Sequence, residues 1–74
     1  MEKAKLYCKT IPKNYGKFRV IVQDLNGEEI TGIIPLEDKH LEVEILEDHG
    51  DKAFVLLPTG LNKETAWIDS KSLN

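Results

Sequence analysis

LEVEILEDHGDKAFVLLPTGLNKETAWIDSKSL, residues 41–73, holds three strand-like runs separated by two turn clusters. In its first run apolar and acidic residues alternate. Leu41, Val43 and Ile45 therefore share one face of a strand and Glu42 and Glu44 the other, the pattern of a strand with one buried and one wet side. His49-Gly50-Asp51 is a turn cluster in which Gly50 can take a positive φ. Lys52 to Leu57 is apolar on both faces at its centre, and Pro58, which has no N–H for a ladder, ends it. Thr59 to Lys63 is a connection, and Glu64 to Asp69 is a third strand carrying Trp67. Ser70 to Leu73 is too short for an α-helix and suits one 3₁₀ turn ending on an apolar anchor. Three antiparallel strands joined this tightly make a meander, and a meander needs further strands to cover its apolar face.

The first forty residues can supply them. Lys5 to Thr10 is β-prone, and Ile11 to Gly16 reads as a connection, with Pro12 holding Ile11 extended. Lys17 to Asp24 is a strand with Phe18, Val20 and Val22 on one face. Asn26-Gly27 between two β-prone runs is a hairpin signal, because both residues tolerate positive φ. The return strand, Glu28 to Ile34, carries Gly32, whose position suggests a bulge or bend. Pro35 to His40 is a polar turn back into Leu41. No window has helical periodicity over three turns, so the expectation is an all-β chain, a single domain over residues 1–74.

Composition fits a small folded domain. Apolar residues make up 41% of the 74, too many for a disordered chain. Cys8 is the sole cysteine, so neither an internal disulfide nor a cysteine metal cluster can form, and a buried strand position is expected for it. No apolar run follows Met1 to Lys5 and none approaches the length of a membrane helix, which points to a cytoplasmic protein with no membrane partner. No cofactor motif is present.

The charge is unevenly placed. Residues 1–19 carry six basic and one acidic side chain, a balance of +5, whereas residues 20–74 carry four basic and twelve acidic, a balance of −8.

The second half of the chain resembles the Src-homology-3-like small barrel of bacterial type, over roughly residues 17–73. Leu41 to Leu46 is similar to the family's second strand, Glu47 to Asp51 to its n-Src loop and Lys52 to Leu57 to its third strand. Ala66-Trp67-Ile68-Asp69-Ser70-Lys71-Ser72-Leu73 resembles the closing segment, in which a strand runs into a 3₁₀ turn. On that likeness Asn26-Gly27 lies in the RT loop and Glu37-Asp38-Lys39 in the diverging turn. The resemblance implies a five- to six-stranded antiparallel barrel, with residues 1–16 as an N-terminal extension strand. Lys52-Ala53 stands where peptide-binding members carry a Trp, and Asp69 and Lys71-Ser72 replace their Pro and Tyr. Recognition of PxxP peptides is therefore not expected, since a polyproline helix needs those aromatic walls.

No catalytic motif is present. His40 and His49 fall in expected turns, where histidine is usually solvated, and Glu47-Asp48-His49-Gly50-Asp51 lacks the ordered spacing of a calcium loop. Two non-catalytic readings remain. The first is a protein–protein interaction module, a small adaptor or inhibitor-like barrel, binding through Trp67, Tyr15 and the acidic Glu42, Glu44 and Glu47. The second is a nucleic-acid-binding barrel using Lys5, Tyr7, Lys9, Lys13, Lys17 and Arg19, where cations and aromatics interleave. Against the second, the acidic remainder would repel a polyanion within a Debye length of about 8–10 Å. The expectation is the first reading, for a monomer or a weak homodimer paired through the Tyr7 strand.

Overall fold

The computed structural model describes residues 2–36 and 40–74. Among these, seven strands form: β1 (Glu2–Tyr7), β2 (Lys9–Pro12), β3 (Lys17–Gln23), β4 (Glu29–Pro35), β5 (His40–Asp48), β6 (Lys52–Leu56) and β7 (Thr65–Asp69). They make two antiparallel sheets, one of four strands in the order β1-β5-β6-β7 and one of three in the order β2-β3-β4. The chain is all-β, as expected, but the sheets do not close into a barrel. The expected diverging turn at Glu37-Asp38-Lys39 lies outside the described residues.

The ladder breaks where the chain changes sheet. Cys8 belongs to neither β1 nor β2, so the first extended run splits at that point and gives one strand to each sheet. The stretch expected as an N-terminal extension is, over residues 2–12, part of both sheets: β1 pairs with β5 over six residues, β2 pairs with β3, and Leu6 is fully buried. The sheets share one apolar interior. Val20, Ile30 and Ile34 of the smaller sheet meet Leu6, Leu41, Val43, Val55 and Ile68 of the larger one.

Two devices depart from the sequence expectation. The β3–β4 pairing runs without a register shift through Gly32, so Gly32 is no bulge. It is the site of a close crossing instead, since a Cβ there would strike the Gly60 carbonyl oxygen and lie 2.9 and 3.0 Å from Leu61 Cδ2 and Cα. The bulge is in β5, where the register shifts between Ile45 and Glu47. The hairpin at Asn26-Gly27 forms between β3 and β4 as expected, with the Asp24 N–H donating to the Glu28 carbonyl at 3.0 Å. Only Gly27 takes a positive φ (79°), and the Asp24 carboxylate closes the loop by accepting from the N–H groups of Asn26 and Glu28, both at 2.9 Å.

The loop between β6 and β7 ties the two sheets together. The N–H of Thr31 donates to Asn62 Oδ1 (2.9 Å), the N–H of Asn62 to the Thr31 carbonyl (3.0 Å) and Asn62 Nδ2 to the Glu29 carbonyl (3.0 Å). Lys63 reaches Asp24 Oδ2 at 3.1 Å and Glu28 Oε2 at 3.0 Å. The chain ends on a 3₁₀ turn at Ser70–Ser72, capped by Asp69, with Leu73 against the core and Asn74 exchanging backbone hydrogen bonds with Lys5.

Candidate interaction surfaces

The outer side of the four-stranded sheet gathers four of the five residues proposed for protein binding. Strand alternation turns Leu41 and Val43 inward and Glu42 and Glu44 outward. Simple alternation would then send Glu47 inward with Leu41. The bulge at Leu46 reverses the parity, so that Glu47 stands opposite Phe54, and Phe54 opposite Trp67, in one row across β5, β6 and β7. The next row is Glu44, Leu56 and Thr65. Glu42 follows along β5.

Trp67 is half-buried on this outer side rather than in the core. Its ring lies 5.1 Å from Phe54 and 5.3 Å, edge-on, from His49, with the Lys52 ammonium 5.0 Å from its centroid. His49 Nε2 is in turn 3.1 Å from Glu47 Oε1. Phe54 and Leu56 were not singled out in the sequence, although the alternation of Ala53 and Val55 with them carried the signal.

Tyr15 does not join this surface. It sits at the tip of the β2–β3 hairpin, 97% exposed, in the left-handed region at φ 61° and ψ 38°. Gly16 beside it is also left-handed, at φ 71°.

The basic set divides. Lys5 and Tyr7 stand on β1 opposite Glu42 and His40, with Tyr7 edge-on to His40 at 4.8 Å, and Lys3 beside them pairs with Glu42 at 3.2 Å. These residues therefore belong to the face of the acidic residues. Lys9, Lys17 and Arg19 lie instead on the outer side of the three-stranded sheet, with Lys13 at its hairpin end. Among the described residues no carboxylate pairs with Lys9, Lys13, Lys17 or Arg19. Phe18 alternates to the inner side with Val20 and Val22.

Comparison of the chain with family models, with curated proteins and with solved structures finds no match. The functional reading therefore rests on this geometry. Among the described residues no group of three or more His, Cys, Asp or Glu side chains is placed to hold a metal ion, and no helix is long and apolar enough to cross a membrane. Cys8 is half-buried, and desolvation pushes its thiol above the ordinary value despite a backbone hydrogen bond with Leu41 that works the other way. The thiol stays protonated at neutral pH. His40 is in β5 rather than in a turn.

Proposed function

We propose that the protein is a non-catalytic interaction module that binds another protein through the outer side of its four-stranded sheet. One observation carries the reading: Trp67 and Phe54 stand side by side in a row ending on Glu47, next to the row of Glu44 and Leu56. Paired aromatics rimmed by charge supply what a protein interface needs, a large and stiff apolar anchor with polar groups that fix orientation. The β5–β7 meander closing on the 3₁₀ turn at Ser70–Ser72 supports a Src-homology-3-like assignment for the module. The division of the basic set weighs against nucleic acid. Of the interleaved aromatics, Tyr7 faces the acidic side and Phe18 the interior, which leaves Tyr15 alone to stack on a base.

The test begins with affinity capture from the native lysate with and without nuclease, followed by titration of the purified partner. Trp67→Phe and the reversals Glu44→Lys and Glu47→Lys are compared with the unchanged protein. Loss of affinity by about tenfold or more in the reversals is expected, which is about 1.4 kcal/mol. Unchanged affinity in both reversals sinks the reading.

A further inference from the structure

The three-stranded sheet presents a second outward face, and its chemistry is opposite to the first. Ile11 on β2, Arg19 on β3 and Ile33 on β4 stand in one row, and Lys9, Ile21 and Thr31 in the next. Lys17 and Pro35 make a third. Ile33 is 45% exposed and Ile11 37%. The four cations of this sheet and its hairpin have no carboxylate partner among the described residues, and Glu29 stands at the far end of the face. Isolated exposed isoleucines are ordinary. Two of them, with the half-buried Ile21 between, in a checkerboard with cations that lack a carboxylate partner among the described residues, form a surface that is both apolar and basic.

We infer that this face is a second docking surface, and that its occupant is an acidic polypeptide segment in which apolar residues alternate with carboxylates. Such a segment would set apolar side chains on Ile11, Ile21 and Ile33 and carboxylates on Lys9, Lys17 and Arg19. The two other occupants fit less well. A second copy docked symmetrically would place cations against cations, and β2 as an edge is short and ends on Pro12, which has no N–H to give. Nucleic acid would meet isoleucines where it needs flat rings to stack on. The molecule's own acidic residues do not forbid an anionic occupant. Glu42, Glu44 and Glu47 point away on the other sheet, and the shortest dimension of the molecule is 19 Å, about two Debye lengths at physiological salt.

Tyr15 extends the same surface. It lies beyond Lys13 and Lys17 at the hairpin tip, and an aromatic held in the left-handed region with 97% of its area in solvent serves no packing role. Tyrosine and arginine are enriched where proteins meet, so the tip provides an anchor at the end of the isoleucine face.

The experiment is fluorescence anisotropy of the intact protein with a labelled random copolymer of glutamate and tyrosine, in parallel with polyglutamate and a labelled oligothymidylate. Binding of the copolymer, tighter than polyglutamate and weakened with salt, is expected. Ile33→Asp and Arg19→Glu should each weaken it about tenfold or more. Trp67→Phe, on the opposite sheet, should leave it within about twofold. Because Ile33→Asp sits in a strand, Lys17→Glu at the exposed start of β3 serves as the second variant, with circular dichroism as the check on folding. Absence of copolymer binding, indifference to both Ile33→Asp and Lys17→Glu, or tighter binding of the oligothymidylate overturns the inference. None of these results touches the Trp67 surface, so the two proposals fail separately.

Discussion

Substituting Gly32 by alanine tests the crossing that holds the two sheets in place. The backbone at Gly32 has an ordinary φ, so the residue is glycine for space and not for conformation. An added methyl would strike the Gly60 carbonyl oxygen and crowd Leu61 Cδ2 at 2.9 Å and Leu61 Cα at 3.0 Å. Two of these three atoms are backbone, which no rotamer change can withdraw. The loop cannot retreat freely, because Asn62 makes three hydrogen bonds to Thr31 and Glu29 of the same strand. Moving it far enough strains or breaks those bonds at about 1 kcal/mol each, and overpacking of this kind costs about 1–3 kcal/mol. Alanine recovers up to about 1 kcal/mol by restricting the unfolded chain. The net loss expected is about 2 kcal/mol, a drop of roughly 8–16 °C in Tm for a chain this size. Chains of this length have only about 3–5 kcal/mol in hand, so the variant should be close to unfolding at physiological temperature. Urea unfolding followed by circular dichroism and by Trp67 fluorescence gives the number. Gly50→Ala is the control, since Gly50 has open space around it and a positive φ of 85°, and carries only left-handed strain of about 1–2 kcal/mol. If Gly32→Ala were no more destabilising than Gly50→Ala, the steric argument would be wrong.

Other outcomes follow from the same contacts. The Thr31 hydroxyl is buried without a hydrogen-bond partner, so Thr31→Val should raise stability by about 1 kcal/mol, and a lower Cm in urea would refute the assignment. Burial alone would raise the Asp24 carboxyl, but hydrogen bonds from Lys63 and from the N–H groups of Glu28 and Asn26 outweigh it and hold the group below the ordinary carboxylate value. Its stabilising effect is therefore complete above the unfolded value of about 4 and disappears as pH falls through the lower folded value; unfolding midpoints taken from neutral to strongly acidic pH should fall more steeply than those of Asp24→Asn. Lys63, raised by its bonds to Glu28 and Asp24 against the opposing effect of burial, contributes below its ordinary value near 10.5 and loses that contribution at more alkaline pH. Tyr15→Asn should stabilise the fold by about 0.5–1 kcal/mol, because asparagine tolerates the left-handed region better, while weakening the copolymer binding; a variant that binds unchanged would show that the tip is no anchor.

Much of the strand pattern was legible because it depends on short-range alternation. Lys17 to Asp24 and Leu41 to Asp48 were read almost to the residue, as β3 and β5. What escaped was set by contacts distant in sequence. Gly32 looks like a bulge signal, but the loop that makes it necessary is at Gly60 and Leu61. Asn26-Gly27 marks the hairpin, but the Asp24 carboxylate that caps its loop by accepting from Asn26 and Glu28 is not part of that signal. The barrel expectation treated the first sixteen residues as an extension strand, and the break at Cys8 that splits this run between the two sheets has no mark that period-two counting detects. The N-terminal strand was under-read because Glu2, Lys3 and Lys5 look solvated, and only pairing with β5 shows that Leu6 beneath them is core.

The acidic surface was legible for an incomplete reason. Grouping Glu42, Glu44 and Glu47 by charge ignores that Glu47 has the wrong parity in a regular strand. One extra residue, Leu46, is what moves it to the side of Phe54 and Trp67. The same one-residue accounting explains why the charge split along the chain is not the charge split in space. Lys3 and Lys5 are early and basic, yet β1 crosses β5 and sets them against Glu42 and Glu44. Past Cys8 the chain enters the other sheet, where its cations meet isoleucine instead of carboxylate. A polyanion sensor built on the whole basic stretch would lose much of its charge to neighbouring glutamates. A docking face needs only the unpaired part, and Cys8 marks where that part begins.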